Sequence, residues 1–393
     1  MKLRARTNKK YIFLVIAVVL VVAGAGATLV FLKQQKPAAE QVTTPPKSAA
    51  FEPPRLRFAA MGDMLAHDTI VAGAKSGAGY DFAKYFAKIQ PLLRDKDVVF
   101  CNPETPAAPS FAASGYPTFN APAELVRDLK KQGCNLINLA TNHIYDKGDA
   151  GVSGTIEAWE AEQPLAIAGA NRSAAEQQKI RYFEKNGIKV AFLAYADFCN
   201  AAGHPDYALN LYHDEALLRS QVTEARAEAD AVVVSMHWGT EDSNDVNADQ
   251  TKYAELLAHL GADVAIGTGP HVLQKVAWLD GQDGHRTLVW YSIGNMLSSQ
   301  LQIDQLTGGV AGFDIVKTST GVRVDSVGFA PTYMAYDWAP ADRAAQNLLA
   351  RTSPMLYPLN EAGAKIGEMF PGATLEDRQS YVRRVLGDDV QIR

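Results

Sequence analysis

Six polar residues sit at or just beyond the ends of apolar runs: Asp63, Glu104, Asn142, His143, His237 and His271. Carboxylate oxygens, an amide oxygen and imidazole nitrogens form a mixed donor set that suits Mn²⁺, Fe or Zn²⁺. Two such ions about 4 Å apart can clamp an in-line displacement and activate a water. A histidine beside them that is not a ligand can protonate the leaving group. Asp63, Glu104, Asn142, His143, His237 and His271 are therefore candidate residues of one site. Glu241 and Asn295 are further candidates, although Asn295 after Gly294 could be a turn residue instead. His67 also follows a strand end and is read as the start of a helix, with a site role as the alternative; His204, His213, His259 and His285 are read as loop or solvent residues. No Gly-x-x-x-x-Gly-Lys-Ser/Thr occurs, so no nucleotide cofactor is expected.

Ligands in open α/β sheets bind at the carboxyl ends of strands, so these residues call for buried strands behind them. The sequence supplies short ones at Arg55–Met61, Val98–Phe100, Leu136–Leu139, Leu165–Gly169, Val232–Val234 and Val264–Ile266. Helices are expected over Tyr80–Leu93, Ala123–Gln132, Val152–Glu162, Asp214–Ala229 and Asp249–Leu260. Asn186-Gly187 between apolar runs predicts a hairpin, and Lys275–Leu279 with Arg286–Tyr291 a second. Gly312–Lys317 and Val322–Phe329 predict a third. Beyond Pro331 the pattern becomes helical and charged. The alternation argues for layered α/β, two sheets with helices outside.

The chain has 393 residues and a formal charge of −5, with no basic tract suited to nucleic acid. Residues 1–10 are basic. Tyr11–Leu32 carries no charge and as a helix would span ~33 Å, enough for a bilayer core of ~30 Å. The expected arrangement is a cytoplasmic N-terminus, a single-pass anchor over 11–32, and the bulk outside the cell membrane. A cleaved signal peptide is the alternative. Residues 33–54, rich in Pro, Ala, Gln and Thr, read as a flexible tether. A folded domain over 55–335 and a helical extension over 336–393 follow. Cys101, Cys134 and Cys199 lack zinc-site spacing. Two of them could pair, but three buried thiols are the expectation.

Ordered blocks from about Arg57 to Gln300 carry a resemblance. They include Gly62-Asp63-Met64-Leu65, Asn102-Pro103-Glu104-Thr105-Pro106, and Leu139-Ala140-Thr141-Asn142-His143 with Asp146 and Gly148. Others are Ser235-Met236-His237-Trp238-Gly239-Thr240-Glu241, Pro270-His271-Val272 and Tyr291-Ser292-Ile293-Gly294-Asn295. The chain thereby resembles the CapA-type capsule biosynthesis family linked to poly-γ-glutamate synthesis. That family is similar to calcineurin-type metallophosphoesterases, which implies a four-layer α/β sandwich. The resemblance implies Asp63, Glu104, Asn142, His237 and His271 as metal-site residues and His143 as the acid. It also implies a capsule polymer and its membrane synthase subunits as partners, with either a metal-dependent hydrolase or transferase, or a non-catalytic scaffold, as the activity. Two features depart from active metallophosphoesterases. Asp63 stands without the histidine of Asp-x-His, and Gly269 stands where relatives carry the first histidine of His-Pro-His.

Overall fold

The strand that starts the domain, β1 (Arg55–Met64), is buried on both faces from Phe58 onward, as expected of a central strand covered on two sides. It belongs to a computed structural model that describes residues 53–393. The expected anchor and most of the tether lie outside the described residues. Among the described residues no helix is long and apolar enough to cross a membrane.

Sixteen strands follow β1: β2 (Lys75–Ser76), β3 (Gly79–Tyr80), β4 (Val98–Pro103), β5 (Leu136–Asn138), β6 (Ala166–Ala168), β7 (Arg181–Lys185), β8 (Ile188–Ala196), β9 (Ala231–His237), β10 (Val264–Thr268), β11 (Val276–Asp280), β12 (Arg286–Trp290), β13 (Asn295–Leu297), β14 (Thr307–Thr318), β15 (Gly321–Asp337), β16 (Thr352–Pro358) and β17 (Gln391–Ile392). The first large sheet runs β16-β15-β14-β1-β4-β5-β6, with β13 beside the end of β1 and β17 against β15. The second runs β11-β12-β10-β9-β8-β7. Strands β1, β4, β5 and β6 are mutually parallel, as are β8, β9, β10 and β12. Each sheet therefore has a carboxyl edge.

The sheets share one core. Phe100 meets Phe192 edge-on with ring centres 6.2 Å apart, and Trp290 lies 6.0 Å from Phe329. Strand β8 shows the two-residue period that this needs: Val190, Phe192 and Ala194 join that core, while Ala191, Leu193 and Tyr195 face a second one. The second core is closed by helices Glu215–Glu228 and Ala248–His259 through Leu218, Val222, Tyr253 and Leu257. Helices Glu124–Lys131 and Gly148–Ala161 cross over between parallel strands of the first sheet and bury Leu125, Leu129, Val152 and Trp159. The layers are helices, sheet, sheet and helices. Asn186 and Gly187 both take positive φ, as a tight hairpin turn demands.

Three expectations need correction. Tyr80–Leu93 is not one helix: a short 3₁₀ turn at Ala83–Phe86 and one α-turn at Gln90–Leu93 replace it. Pro91 cannot donate within a continuous helix, and the aromatic spacing instead reflects core packing. Beyond Pro331 the chain first stays extended: β15 runs on to Asp337 and β16 pairs with it. Thr332–Tyr336 are all buried, which suits an interior strand. Helices Gly363–Met369 and Leu375–Leu386 come only afterwards. Finally, Cys101 and Cys134 form a disulfide, and only Cys199 is a free thiol. The parallel pairing of β4 with β5 places these two side chains together, and no sequence spacing reveals that.

Candidate metal centre

The carboxyl edges of the two sheets meet, and the predicted residues converge there. Asp63 ends β1, Glu104 follows β4, Asn142 and His143 follow β5, His237 ends β9, and His271 follows β10. All six are at most 6% exposed. Gly62 allows the close approach: a Cβ there would lie 1.9 Å from the Gly294 carbonyl oxygen, the same carbonyl that accepts from the Asp63 N–H.

Asp63 is held from several directions. The Asn102 side-chain amide donates to its Oδ1 at 2.6 Å. Asn138 in turn donates to Asn102 at 2.7 Å. The Gly269 N–H reaches both carboxylate oxygens at 3.1 and 3.2 Å, and His271 Nδ1 lies 3.2 Å from Oδ2. Burial opposes charge on Asp63. The His271 hydrogen bond and charge, the His237 charge and the Gly269 amide overcome it and keep the carboxyl below its ordinary range. Glu104 is the reverse case. Both of its carboxylate oxygens are buried without a hydrogen bond. His237 Nε2 and His271 Nε2 stand 3.9 and 3.8 Å from Oε1. Burial, reinforced by the Asp63 charge against the pull of His271, pushes Glu104 well above the carboxylate range.

His237 Nδ1 lies 3.0 Å from Thr268 Oγ1, and Asn142 Oδ1, an acceptor, lies 3.1 Å from its Nε2. Burial lowers its pKa to about 4, against the attraction of Asp63, so it is a neutral ligand-type imidazole. His271 has φ +61°, a left-handed conformation that is costly for a residue with a Cβ and is concentrated at functional sites. Burial alone would lower its pKa, but the charges of Glu104, Asp63 and Glu241 raise it. Asn295 Oδ1 lies 3.1 Å from His271 Nδ1. His143 forms a second unit: its Nδ1 is 2.8 Å from Asp146 Oδ2, and its ring meets Phe119 edge-on at 4.7 Å.

The fit to a divalent metal rests on Glu104. A buried carboxylate with no donor nearby is normally too costly to keep, and a cation supplies what it lacks. Ligand atoms of Asp63, Glu104 and His237 all lie within 4.8 Å of one another. Asn142 and His271 flank this trio through the contacts just given. Asn295 reaches His271 with its side chain and pairs with Asp63 along β13 and β1. Glu241 is exposed at the rim and acts on the site through its charge alone.

Three residues that were not singled out, Asn102, Thr268 and Asn200, also belong to the site. Asn102 and Thr268 orient Asp63 and His237. The Asn200 amide lies 3.3 Å from His143 Nε2. His67, read as a helix start with a site role as the alternative, packs edge-on against Phe119, and its pKa is lowered to about 4 by burial and then by the charges of His271 and Arg351. Sequence gives one usable signal here: Asn102 stands two residues before Glu104 at the same strand end.

An α/β sandwich whose paired sheets deliver oxygen and nitrogen donors to one joint edge is a scaffold of the metal-site class. A family model described as "Bacterial capsule synthesis protein PGA_cap" matches residues 57–300. The chain belongs to that family. It is 31% identical over 242 residues to the PGA biosynthesis protein CapA of Bacillus subtilis (strain 168), covering 60% of this chain and 62% of that protein. It is 30% identical over 227 residues to the capsule biosynthesis protein CapA of Bacillus anthracis, covering 55% and 54%. The chain thus matches less than two thirds of these relatives' lengths. Among solved structures, the calcineurin-like phosphoesterase YfkN from Bacillus subtilis aligns with 83% of this chain and 99% of its own, at 15% identity and TM-score 0.44. A hypothetical protein from Thermus thermophilus aligns with 70% of this chain and 99% of its own, at 17% identity and TM-score 0.43.

Proposed function

We propose that this protein is a membrane-anchored, extracytoplasmic member of its family. In this reading it serves capsule or poly-γ-glutamate production as a metal-dependent hydrolase or transferase. The observation that carries the reading is Glu104, a buried carboxylate left without donors beside Asp63 and His237. These three, with Asn142 and His271 next to them, would hold Mn²⁺, Fe or Zn²⁺. A metal bound there supplies Lewis-acid chemistry at a phosphoester or γ-amide.

The chain's own groups do the rest. Asp146 accepts from His143 Nδ1 and fixes the ring, so Nε2 is the atom that hands a proton to the leaving group. Phe119 seats that ring on an apolar wall. Asn102 and the Gly269 amide keep Asp63 charged and oriented. The Cys101–Cys134 disulfide supports an address outside the cytoplasm, since such bonds persist in oxidising compartments. Tyr11–Leu32 would be the anchor, and the polymer with its membrane synthase subunits the partners.

The test is metal content and turnover of a chromogenic phosphodiester and of a γ-glutamyl amide by the purified protein with Mn²⁺. The expected result is bound metal and turnover that both vanish in Glu104→Gln. Absence of binding in excess Mn²⁺ overturns the reading. A second reading, a non-catalytic subunit that binds polymer, is favoured by Gly269, which supplies no side-chain ligand where relatives carry a histidine. It expects polymer secretion to survive Glu104→Gln but to fail when Tyr11–Leu32 is deleted.

A further inference from the structure

The chain beyond Tyr336 lies outside the residues matched by the family model, yet it reaches the site. Its route is the strap Ser298–Gln305, which leaves β13 and leads into β14. Arg351, only 6% exposed, donates to the Ser299 carbonyl, to Ser299 Oγ at 3.4 Å and to Thr69 Oγ1 at 2.9 Å. Its guanidinium has no carboxylate partner among the described residues and lies against the Tyr336 and Trp338 rings at 4.9 and 5.6 Å. Arg378, on helix Leu375–Leu386, pairs with Asp304. From the other side, Asp242 accepts from the Gln305 and Gln302 amides at 2.6 and 3.3 Å.

The strap decides how Asn295 points. The Asn295 side-chain amide donates to the Gln305 backbone carbonyl at 3.0 Å and to Gln300 Oε1 at 2.6 Å. A backbone carbonyl only accepts, so the NH₂ must face the strap and Oδ1 must face His271. With Asn295 Oδ1 and Asp63 Oδ2 both at its Nδ1, His271 keeps the proton on that nitrogen. Nε2 is then the nitrogen turned to Glu104. Outer partners of this kind commonly fix the tautomer and orientation of a metal-site imidazole.

We infer that the C-terminal segment positions the candidate metal site: Arg351 and Arg378 pin the Ser298–Gln305 strap, and Gln300 on that strap orients Asn295 and through it His271. This rests on the metal-site reading only for its consequence on metal affinity. The positioning relay itself belongs to the protein without metal. Arg351, Arg378 and Gln300 touch none of the reacting groups; they are positioning residues.

The test uses the purified full-length protein and two readouts. The first is the downfield ¹H–¹⁵N resonance of the His271 Nδ1–H without metal, assigned by its loss in His271→Gln. The second is Mn²⁺ affinity by calorimetry. The resonance is expected in the wild type, broadened by exchange with water in Gln300→Ala and Arg378→Ala, and restored in Gln300→Glu, which keeps the acceptor. Mn²⁺ affinity is expected to fall about 10-fold in the two alanine variants. Gln300→Ala alters a strap side chain rather than the core, so it gives an answer even where Arg378→Ala fails to fold. An unchanged resonance in Gln300→Ala, or no protected resonance in the wild type, overturns the inference. A wild type that binds no Mn²⁺ but shows the resonance pattern overturns the metal reading and leaves the relay standing.

Discussion

Glu104 Oε1 stands 3.9 Å from His237 Nε2, near enough to attract and too far to bond. Neither oxygen of Glu104 finds another donor. The fold tolerates this cost at the one place where two carboxyl sheet edges meet.

Replacing Glu104 with an apolar side chain of similar size should therefore stabilise the protein in chelator while removing metal binding. Glu104→Met eliminates two unsatisfied buried oxygens, each worth roughly 1–3 kcal/mol when left without a partner. The expected gain is about 1–3 kcal/mol after imperfect repacking, read as a higher urea midpoint without metal. A lower midpoint would mean that Glu104 is satisfied by some group other than a cation.

His67 gives the fold an acid-sensitive point. Its pKa in the folded protein is lowered to about 4 from 6.5, and its Nδ1 accepts from the Ser299 N–H at 3.4 Å. A histidine with a depressed folded-state pKa contributes stability that is present above about pH 6.5. That stability is lost as pH falls toward 4, because the unfolded chain takes up the proton first. The loss attributable to His67 should be about 1–3 kcal/mol. His67→Gln, which keeps an acceptor and does not titrate, should show a shallower fall in urea-derived stability between pH 7 and pH 4.5. Parallel curves for the two proteins would refute the assignment.

The strand-end logic that picked Asp63, Asn142, His237 and His271 rests on the run of buried apolar residues before each, a pattern visible in one dimension that brings the four to one sheet edge. What it missed depends on pairing between strands. Asn102 reaches Asp63 because β1 and β4 align Asp63 with Asn102. Thr268 reaches His237 because β9 and β10 align those two. The same holds for the disulfide between Cys101 in β4 and Cys134, two residues before β5. His67 looked like a helix start and is one; only tertiary packing against Phe119 turns it toward the site. The anchor expected at Tyr11–Leu32 falls outside the described residues.

The disulfide closes a loop with a sequence separation of 33 and sits directly before Asn102. Loop-closure entropy for that length corresponds to about 4 kcal/mol. Cys101→Ala/Cys134→Ala should lose roughly that much stability in urea unfolding at pH 7. The wild type in strong reductant should shift toward the variant. A variant as stable as the wild type would show that the bond constrains nothing in the unfolded chain.

The last expectation concerns Asp146, whose Oδ2 accepts from the Phe119 N–H at 2.8 Å and meets His143 Nδ1 at the same distance. Asp146→Asn keeps the size and the bond to Phe119 but removes the charge that fixes the His143 ring. General acid–base groups are worth about 10²–10⁴-fold in rate, so turnover should fall by up to that range while Mn²⁺ content and KM stay near wild type. The asparagine oxygen can take the place of Oδ2 and accept from both donors, so His143 loses the negative charge beside Nδ1 rather than its place against Phe119. If the protein is instead a binding subunit, Asp146→Asn should leave polymer secretion and length unchanged. Measuring secretion, polymer length and Mn²⁺ content on the same variant separates the two outcomes: catalysis alters the polymer at constant metal, and scaffolding alters neither.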